Sequence, residues 1–202
     1  MGYTTLLDIV GSIIIGGVLM VVLLNTNNNA VQNTYNYGGD VSIQIELTNL
    51  VQTIDSDFRK IGYSSIQTIV LDPTKIILLA DTSSIKFLSD VSNNGTIDTV
   101  YYYLGPTSEL SYTTNPNDRI LYRITHDSLS SAITMRNPGV TIFRFSYYDS
   151  SGSSLSCPVA SLAKISKIQI QLKMESAIPY SGSYVSAYWN GTKRISVNVL
   201  DR

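Results

Sequence analysis

The stretch that decides the fold runs from Met1 to Leu24 and reads MGYTTLLDIVGSIIIGGVLMVVLL. Between Tyr3 and Leu24 there are 22 residues and a single charged side chain, that of Asp8. At about 1.5 Å per residue, a helix of this length rises about 33 Å, enough to cross the hydrocarbon core of a bilayer. The sequence therefore predicts an N-terminal tether, held either by a membrane or by copies of the same helix.

The rest of the chain has the composition of a β-rich extracellular domain. Only 14% of the 202 residues are charged, the net charge is −1, and neutral polar residues with 14 tyrosines supply most of the polarity. There is no basic tract, so we predict no nucleic-acid partner. The single cysteine, Cys157, excludes an intrachain disulfide, so stability must come from a hydrophobic core.

The flanks of the apolar stretch argue against two common interpretations. No lysine or arginine precedes Arg59 and no Ala-x-Ala follows Leu24, so the pattern does not fit a secretory signal peptide. An ordinary membrane anchor usually carries flanking cations that set its orientation, and these are also missing.

Small residues and one acid mark the apolar helix as an assembly element. Ser12 and Gly16 share one helical face at four-residue spacing, with Gly17 beside them, a pattern that lets helices approach closely. The glycine pair also predicts a short weak point in the helix. Asp8 has two open interpretations: it pairs with an N-terminal amine of its own or a neighbouring chain, or it lies at the headgroup level of a membrane.

A second helix is predicted after a polar stretch. Residues 25–37 are uncharged and form either a water-facing linker or a continuation of the first helix. Gly38 and Gly39 predict a break, and Asp40 is a suitable N-cap. One apolar stripe then follows at helical spacing, with Asp55 and Asp57 off the stripe. The stripe consists of Ile43, Leu47, Leu50, Ile54, Phe58 and Ile61.

From Ile66 onward the hydrophobic period is two, which predicts strands. Turns are predicted at Asp72-Pro73, Asn93 to Gly95, Asn115 to Asn117, Asn137 to Gly139 and Ser151 to Ser153. The predicted strands are Thr68 to Leu71, Lys75 to Leu79, Ser84 to Leu88, Thr99 to Leu104, Ile120 to Thr125, Thr141 to Tyr148, Ile165 to Glu175, Val185 to Trp189 and Arg194 to Leu200. We therefore predict an α+β fold: a hydrophobic helix with a polar extension (1–37), an amphipathic helix packed on a sheet (38–63), and a mostly antiparallel β domain (64–202).

This order of elements resembles the type IV pilin-like superfamily, especially its long minor pilins and J-type pseudopilins. Residues 2–8, GYTTLLD, are similar to the family's processing site, and residues 57–63, DFRKIGY, to the end of its helix. Residues 87–104 resemble a strand, loop and strand of the family, Ile120 to Arg123 a following strand, and residues 195–200 its closing strand. The family has glutamate as the fifth residue after cleavage, whereas cleavage after Gly2 would make Asp8 the sixth.

The resemblance implies a structural subunit that waits in the cytoplasmic membrane and is then extracted into an extracellular filament. Its helices would form the filament core, its partners would be copies of itself or other pilin-like subunits, and a prepilin peptidase would cut between Gly2 and Tyr3. The alternative is a membrane-anchored extracellular module that binds a glycan or a protein.

Two further patterns concern ligands and catalysis. Asp90, Ser92, Asn94 and Asp98 occupy positions 1, 3, 5 and 9 of an incomplete calcium loop, whose position 12 is Tyr101 rather than an acid. The alternative is an Asn-Gly turn stabilised by Asp90. Ser161 and Lys164 have the spacing of a Ser-x-x-Lys nucleophile, and His126 is the only histidine. Their partner motifs are missing, so we predict no enzyme and no required cofactor.

Overall fold

The computed structural model describes residues 2–66, 71–127, 130–180 and 182–195. It has an α+β architecture in which one long N-terminal helix is followed by an antiparallel sheet. The fold class predicted from the sequence is therefore confirmed.

The helix, α1, extends without interruption from Gly2 to Arg59. The predicted break at Gly38 and Gly39 is wrong, as is the assignment of Asp40 as an N-cap, and the helix is also regular at Gly16 and Gly17. Each glycine costs a helix about 1 kcal/mol relative to alanine. Extending a formed helix is much easier than nucleating a new one, so two glycines inside a long run do not end it. The polar residues 25–37 are accordingly helical.

The chain divides into two compact units, residues 1–41 and 42–202. In the first unit, the described residues belong to α1 and most are exposed. In the second unit, the last part of α1 packs on the sheet through the predicted stripe. Ile43, Leu47, Leu50, Ile54 and Phe58 are buried, and Ile61 is partly buried against the same core.

The sheet contains eight strands in the order β1-β2-β3-β4-β5-β7-β8, with β6 paired to β5, and all these pairs are antiparallel. The strands are β1 (Ile77–Ala80), β2 (Ser84–Ser89), β3 (Asp98–Leu104), β4 (Arg119–Asp127), β5 (Ser130–Tyr148), β6 (Ser154–Leu155), β7 (Lys167–Glu175) and β8 (Ser186–Arg194). Lys75 lies in a short 3-10 helix before β1. The predicted strand residues 68–70 and 196–200 lie outside the described residues.

Strand β5 is the largest difference from the predicted strands. Asn137 to Gly139 were predicted to form a turn, but they lie inside β5. The first part of this strand pairs with β4 and the last part with β7, and the register of both pairings shifts near Val140. Pro138 has no N–H to donate, and Gly139 has a φ of 83°. A proline-glycine pair therefore marks the point where one strand changes partner.

The gap predicted between the strands Val185 to Trp189 and Arg194 to Leu200 is wrong, because β8 continues through Asn190 and Gly191. Gly191 lies under the indole of Trp189, and a Cβ atom at this position would come within 2.1 Å of the Cη2 of Trp189. Glycine is therefore present for a close aromatic contact rather than for chain reversal.

Candidate functional site

The most unusual surface of the molecule is the apolar part of α1. Between Tyr3 and Leu24 its large apolar side chains are 47–88% exposed. Within the described residues, α1 is the one helix that is long and apolar enough to cross a membrane, as judged by length and composition. This segment is therefore compatible with a transmembrane helix and with membrane anchoring.

Three of the predicted assembly residues form a single line along this helix. Asp8, Ser12 and Gly16 follow one another at intervals of four residues, so each is about 40° around the axis from the one before. The Ser12 hydroxyl donates a hydrogen bond of 2.7 Å to the backbone oxygen of Asp8. Gly17 lies about 100° further around than Gly16 and belongs to another face.

The glycines of this helix have no packing role inside the described chain. A Cβ atom at Gly11, Gly16 or Gly17 would meet nothing within 4 Å. Gly11 was not among the predicted assembly residues, although its type and place in the apolar run could have indicated it. In the predicted processing site, Gly2 is the first described helical residue and the Tyr3 side chain is 88% exposed.

The carboxylate of Asp8 is exposed at the side of this line. Within the part of the chain that the structure describes, it makes no ion pair. A shallow groove of about 360 Å³ lies beside it and is lined by Asp8, Ile9, Ser12 and Ile13. The groove is open to solvent and combines the acidic side chain of Asp8 with the apolar side chains of Ile9 and Ile13.

The second unit contains a buried polar network that the sequence analysis missed. Asp57 was placed off the apolar stripe, but its side chain is 8% exposed and its Oδ2 lies 2.6 Å from the Nε of Arg123. A second bond joins Arg123 Nη2 to Asp57 Oδ1 at 3.1 Å, and the Tyr102 hydroxyl donates to Asp57 Oδ2 at 2.6 Å. The only sequence signal was that Asp57 directly precedes the stripe residue Phe58.

Burial and charge act together on the pKa values of this network. Burial raises the pKa of the Tyr102 hydroxyl well above its usual range, and the Asp57 carboxylate raises it further. For Arg123, burial lowers the pKa, but the hydrogen bonds and the charge of Asp57, together with Tyr102, more than offset this effect, so the pKa of Arg123 lies above its usual value. At neutral pH Tyr102 is therefore neutral and Arg123 is charged, and the hydrogen bonds of both to Asp57 fix the end of α1 on the sheet.

The predicted calcium loop is organised by its first residue. The Asp90 carboxylate accepts hydrogen bonds from the backbone N–H groups of Ser65, Asn94 and Gly95 at 3.0–3.1 Å, and also from the Ser65 hydroxyl. The Ser65 hydroxyl is the main cause of a pKa of about 2 for Asp90. This arrangement corresponds to the predicted turn stabilised by Asp90.

The other loop residues have different partners. The Oδ2 of Asp98 accepts from the backbone and hydroxyl of Ser92 at 3.4 and 3.2 Å, whereas the amide oxygen of Asn94 accepts from the backbone of Thr96 at 2.8 Å. Asp90 and Asp98 are thus engaged by separate donors. Within the described residues, no group of three or more histidine, cysteine or acidic side chains converges as a metal site. Calcium binding by this loop stays a prediction.

The residues weighed for catalysis belong to two different elements, β4 and a short 3-10 helix. Ser161 directly precedes a short 3-10 helix, Leu162–Lys164, and the side chain of Lys164 is exposed. His126 is exposed on β4. A Ser-x-x-Lys nucleophile needs its lysine one turn along a regular helix, and a three-residue 3-10 helix does not provide this.

Comparison with protein-family models, curated proteins and solved structures finds no match.

Proposed function

We propose that this chain is a structural subunit of a type IV pilus-like or secretion-pseudopilus filament and that it assembles through its N-terminal apolar helix. The exposure of the segment Tyr3 to Leu24 carries the proposal. A helix that is apolar on all sides needs either lipid or other apolar helices around it. In the proposed function, lipid surrounds the segment in the cytoplasmic membrane and copies of α1, or of related subunits, surround it in the extracellular filament.

The line of Asp8, Ser12 and Gly16 gives the packing a direction. Small residues at four-residue spacing let a second helix approach closely, and the Asp8 carboxylate at one end of the line requires a cationic partner once water is removed. The N-terminal amine of a neighbouring subunit is such a partner. One head-to-tail contact of this kind, repeated by a screw operation, produces an open filament.

Electron microscopy of native protein and of four variants tests the proposal. Asp8→Ala removes the charge and Gly16→Leu fills the small-residue face, so we expect both to abolish fibres. The matched controls are Asp40→Ala, another exposed acid on α1, and Val18→Leu, a small change at an already large residue; both should assemble. Fluorescence of Trp189 reports whether the β unit stays folded in each variant.

Two outcomes would contradict the proposal. One is a native protein that stays monodisperse after detergent removal and never forms fibres. The other is loss of fibres in the controls to the same extent as in Asp8→Ala and Gly16→Leu. The mass of the mature N-terminus is an independent check, because processing by a prepilin peptidase between Gly2 and Tyr3 would leave a methylated amine on Tyr3.

A second candidate function is a membrane-anchored extracellular binding module. The length and hydropathy of the same helix favour it, because one apolar helix suffices as an anchor. In that case, replacing residues 3–24 with an unrelated transmembrane helix would preserve function, and both Asp8→Ala and Gly16→Leu would be silent. In a filament subunit, the same replacement abolishes assembly.

A further inference from the structure

One face of the sheet carries a group of basic side chains. In β7, residues 168, 170, 172 and 174 are buried in the core, so the alternating residues 167, 169, 171, 173 and 175 point to the opposite face. Their register partners in β5 and β8 share that face. We call this surface the outer face. It consists of Ile142, Arg144, Ser146, Tyr148, Lys167, Gln169, Gln171, Lys173, Glu175, Ser186, Tyr188, Asn190, Thr192 and Arg194.

The charge of the outer face is one-sided, although the whole chain has a net charge of −1. Its fourteen residues include four cations and one acid, Glu175. Lys173 is neutralised by Glu175 at the end of β7, whose Oε1 lies 2.6 Å from the Lys173 Nζ. Within the described residues, Arg144, Lys167 and Arg194 form no ion pair with a carboxylate. Three uncompensated cations therefore lie on adjacent strands.

Two of these cations are directly opposite each other. Lys167 of β7 is the register partner of Arg194 of β8. Like charges at directly opposed positions destabilise a sheet, and an anionic group between them would turn this repulsion into two charge-assisted hydrogen bonds. The neighbour of Lys167 on its other side is Tyr148 of β5. Arg144 is four residues from Tyr148 in the same strand, so it lies about 13 Å further along the strands than Lys167.

The neutral side chains of the outer face match the hydroxyl groups of a sugar better than the bases of a nucleic acid. Gln169 and Gln171 of β7 adjoin Thr192 and Asn190 of β8 and so form two rows of amide and hydroxyl groups between the cations. Stacking with successive bases would need several open aromatic rings. The ring of Tyr148 is covered by the Lys167 ammonium at 4.2 Å, whereas Tyr188 is 55% exposed. A single open ring with rows of polar groups fits a sugar chain better than a single-stranded nucleic acid.

We infer that the outer face binds an acidic polysaccharide, with a carboxylate or sulfate group between Lys167 and Arg194 and a second anionic group at Arg144. The amides of Gln171 and Asn190 would contact sugar hydroxyls, and Tyr188 would contact the apolar side of one sugar ring. This site uses residues of the second unit only, so it goes beyond filament assembly and does not depend on it.

Binding of a short oligogalacturonate to the full chain in neutral detergent tests this inference, with its carboxyl-reduced form and an oligothymidylate of equal charge as comparators. We expect oligogalacturonate to bind, the carboxyl-reduced form to bind at least about tenfold more weakly because the charge-assisted bonds are lost, and added salt to weaken binding. The double variant Lys167→Gln/Arg194→Gln should lose affinity about tenfold or more.

The matched control is Lys75→Gln/Lys164→Gln, which removes two exposed cations from the short helices next to β1. Its affinity should stay unchanged. Arg144→Gln is a second test if the first double variant does not fold, and it should also weaken binding. The inference is overturned by equal losses in the test and control variants, by an absence of oligogalacturonate binding, or by tighter binding of oligothymidylate.

Discussion

Replacing Asp57 with asparagine should strongly destabilise the β unit. The Asp57 carboxylate accepts from Arg123 Nε and from the Tyr102 hydroxyl, both at 2.6 Å, inside a site where Asp57 is 8% and Arg123 13% exposed. Asp57→Asn keeps the shape but leaves a guanidinium buried without its counter-charge. Breaking one side of a buried pair costs about 3–5 kcal/mol, a large share of the about 5–15 kcal/mol that typically separates folded from unfolded states.

Urea unfolding followed by Trp189 fluorescence measures this loss, because Trp189 is the only tryptophan and packs against the core. Asp55→Asn is the control. Asp55 is 27% exposed, and it pairs with Arg59, which is 72% exposed, and with Lys193, which is 16% exposed. Its loss should be smaller than that of Asp57→Asn, because water still reaches the Asp55 carboxylate.

Asp57→Asn/Arg123→Met also removes the buried guanidinium, so we expect the double variant to recover about 2 kcal/mol or more relative to the sum of the single variants. A loss for Asp57→Asn no larger than for Asp55→Asn, or strictly additive effects in the double variant, would refute the reasoning.

Three further predictions concern single sites. Asp90 has a pKa of about 2, below its ordinary value of 3.8. The contribution of its carboxylate to folding stability should therefore be complete above about pH 4 and lost as the pH falls to about 2. Asp90→Asn should flatten this part of an acid-unfolding curve. Gly191→Ala should destabilise the protein by about 1–3 kcal/mol and shift Trp189 emission, because the methyl group overlaps the indole; an unchanged spectrum would contradict the contact. Gly38→Ala should stabilise the helix by about 0.5–1 kcal/mol in a thermal melt followed by circular dichroism, since a Cβ atom there meets nothing within 4 Å; a loss of helicity would contradict continuity of α1.

Hydrophobic periodicity predicted the elements whose partners lie within the chain. The stripe from Ile43 to Phe58 and the alternation of β7 are each set by one buried face, which imposes a period of 3.6 or 2 on the sequence. These elements could be placed from the sequence because burial alone determines their pattern.

Glycine and proline were where local signals failed. Three glycines give the same signal in the sequence but have different roles in the structure. Gly38 is tolerated inside a helix, Gly139 lies at the bend where a strand changes partner, and Gly191 makes room for an indole ring. Which role applies depends on residues that contact the glycine in space, and the local sequence does not contain that information. Asp57 is similar, since its partner Arg123 is 66 positions away in the sequence.

The glycines of the apolar helix lead to a different conclusion. Gly16 weakens an isolated helix by about 1 kcal/mol relative to alanine. Within the described chain no close contact requires glycine here, because nothing lies within 4 Å of the position where its Cβ would be. Lipid gives no reason for glycine over leucine, since an apolar side chain is favourable in hydrocarbon. Contact with a second helix does favour glycine over leucine, because only a small residue lets two helix backbones approach closely. The line of Asp8, Ser12 and Gly16 therefore supports helix-to-helix assembly over simple anchoring.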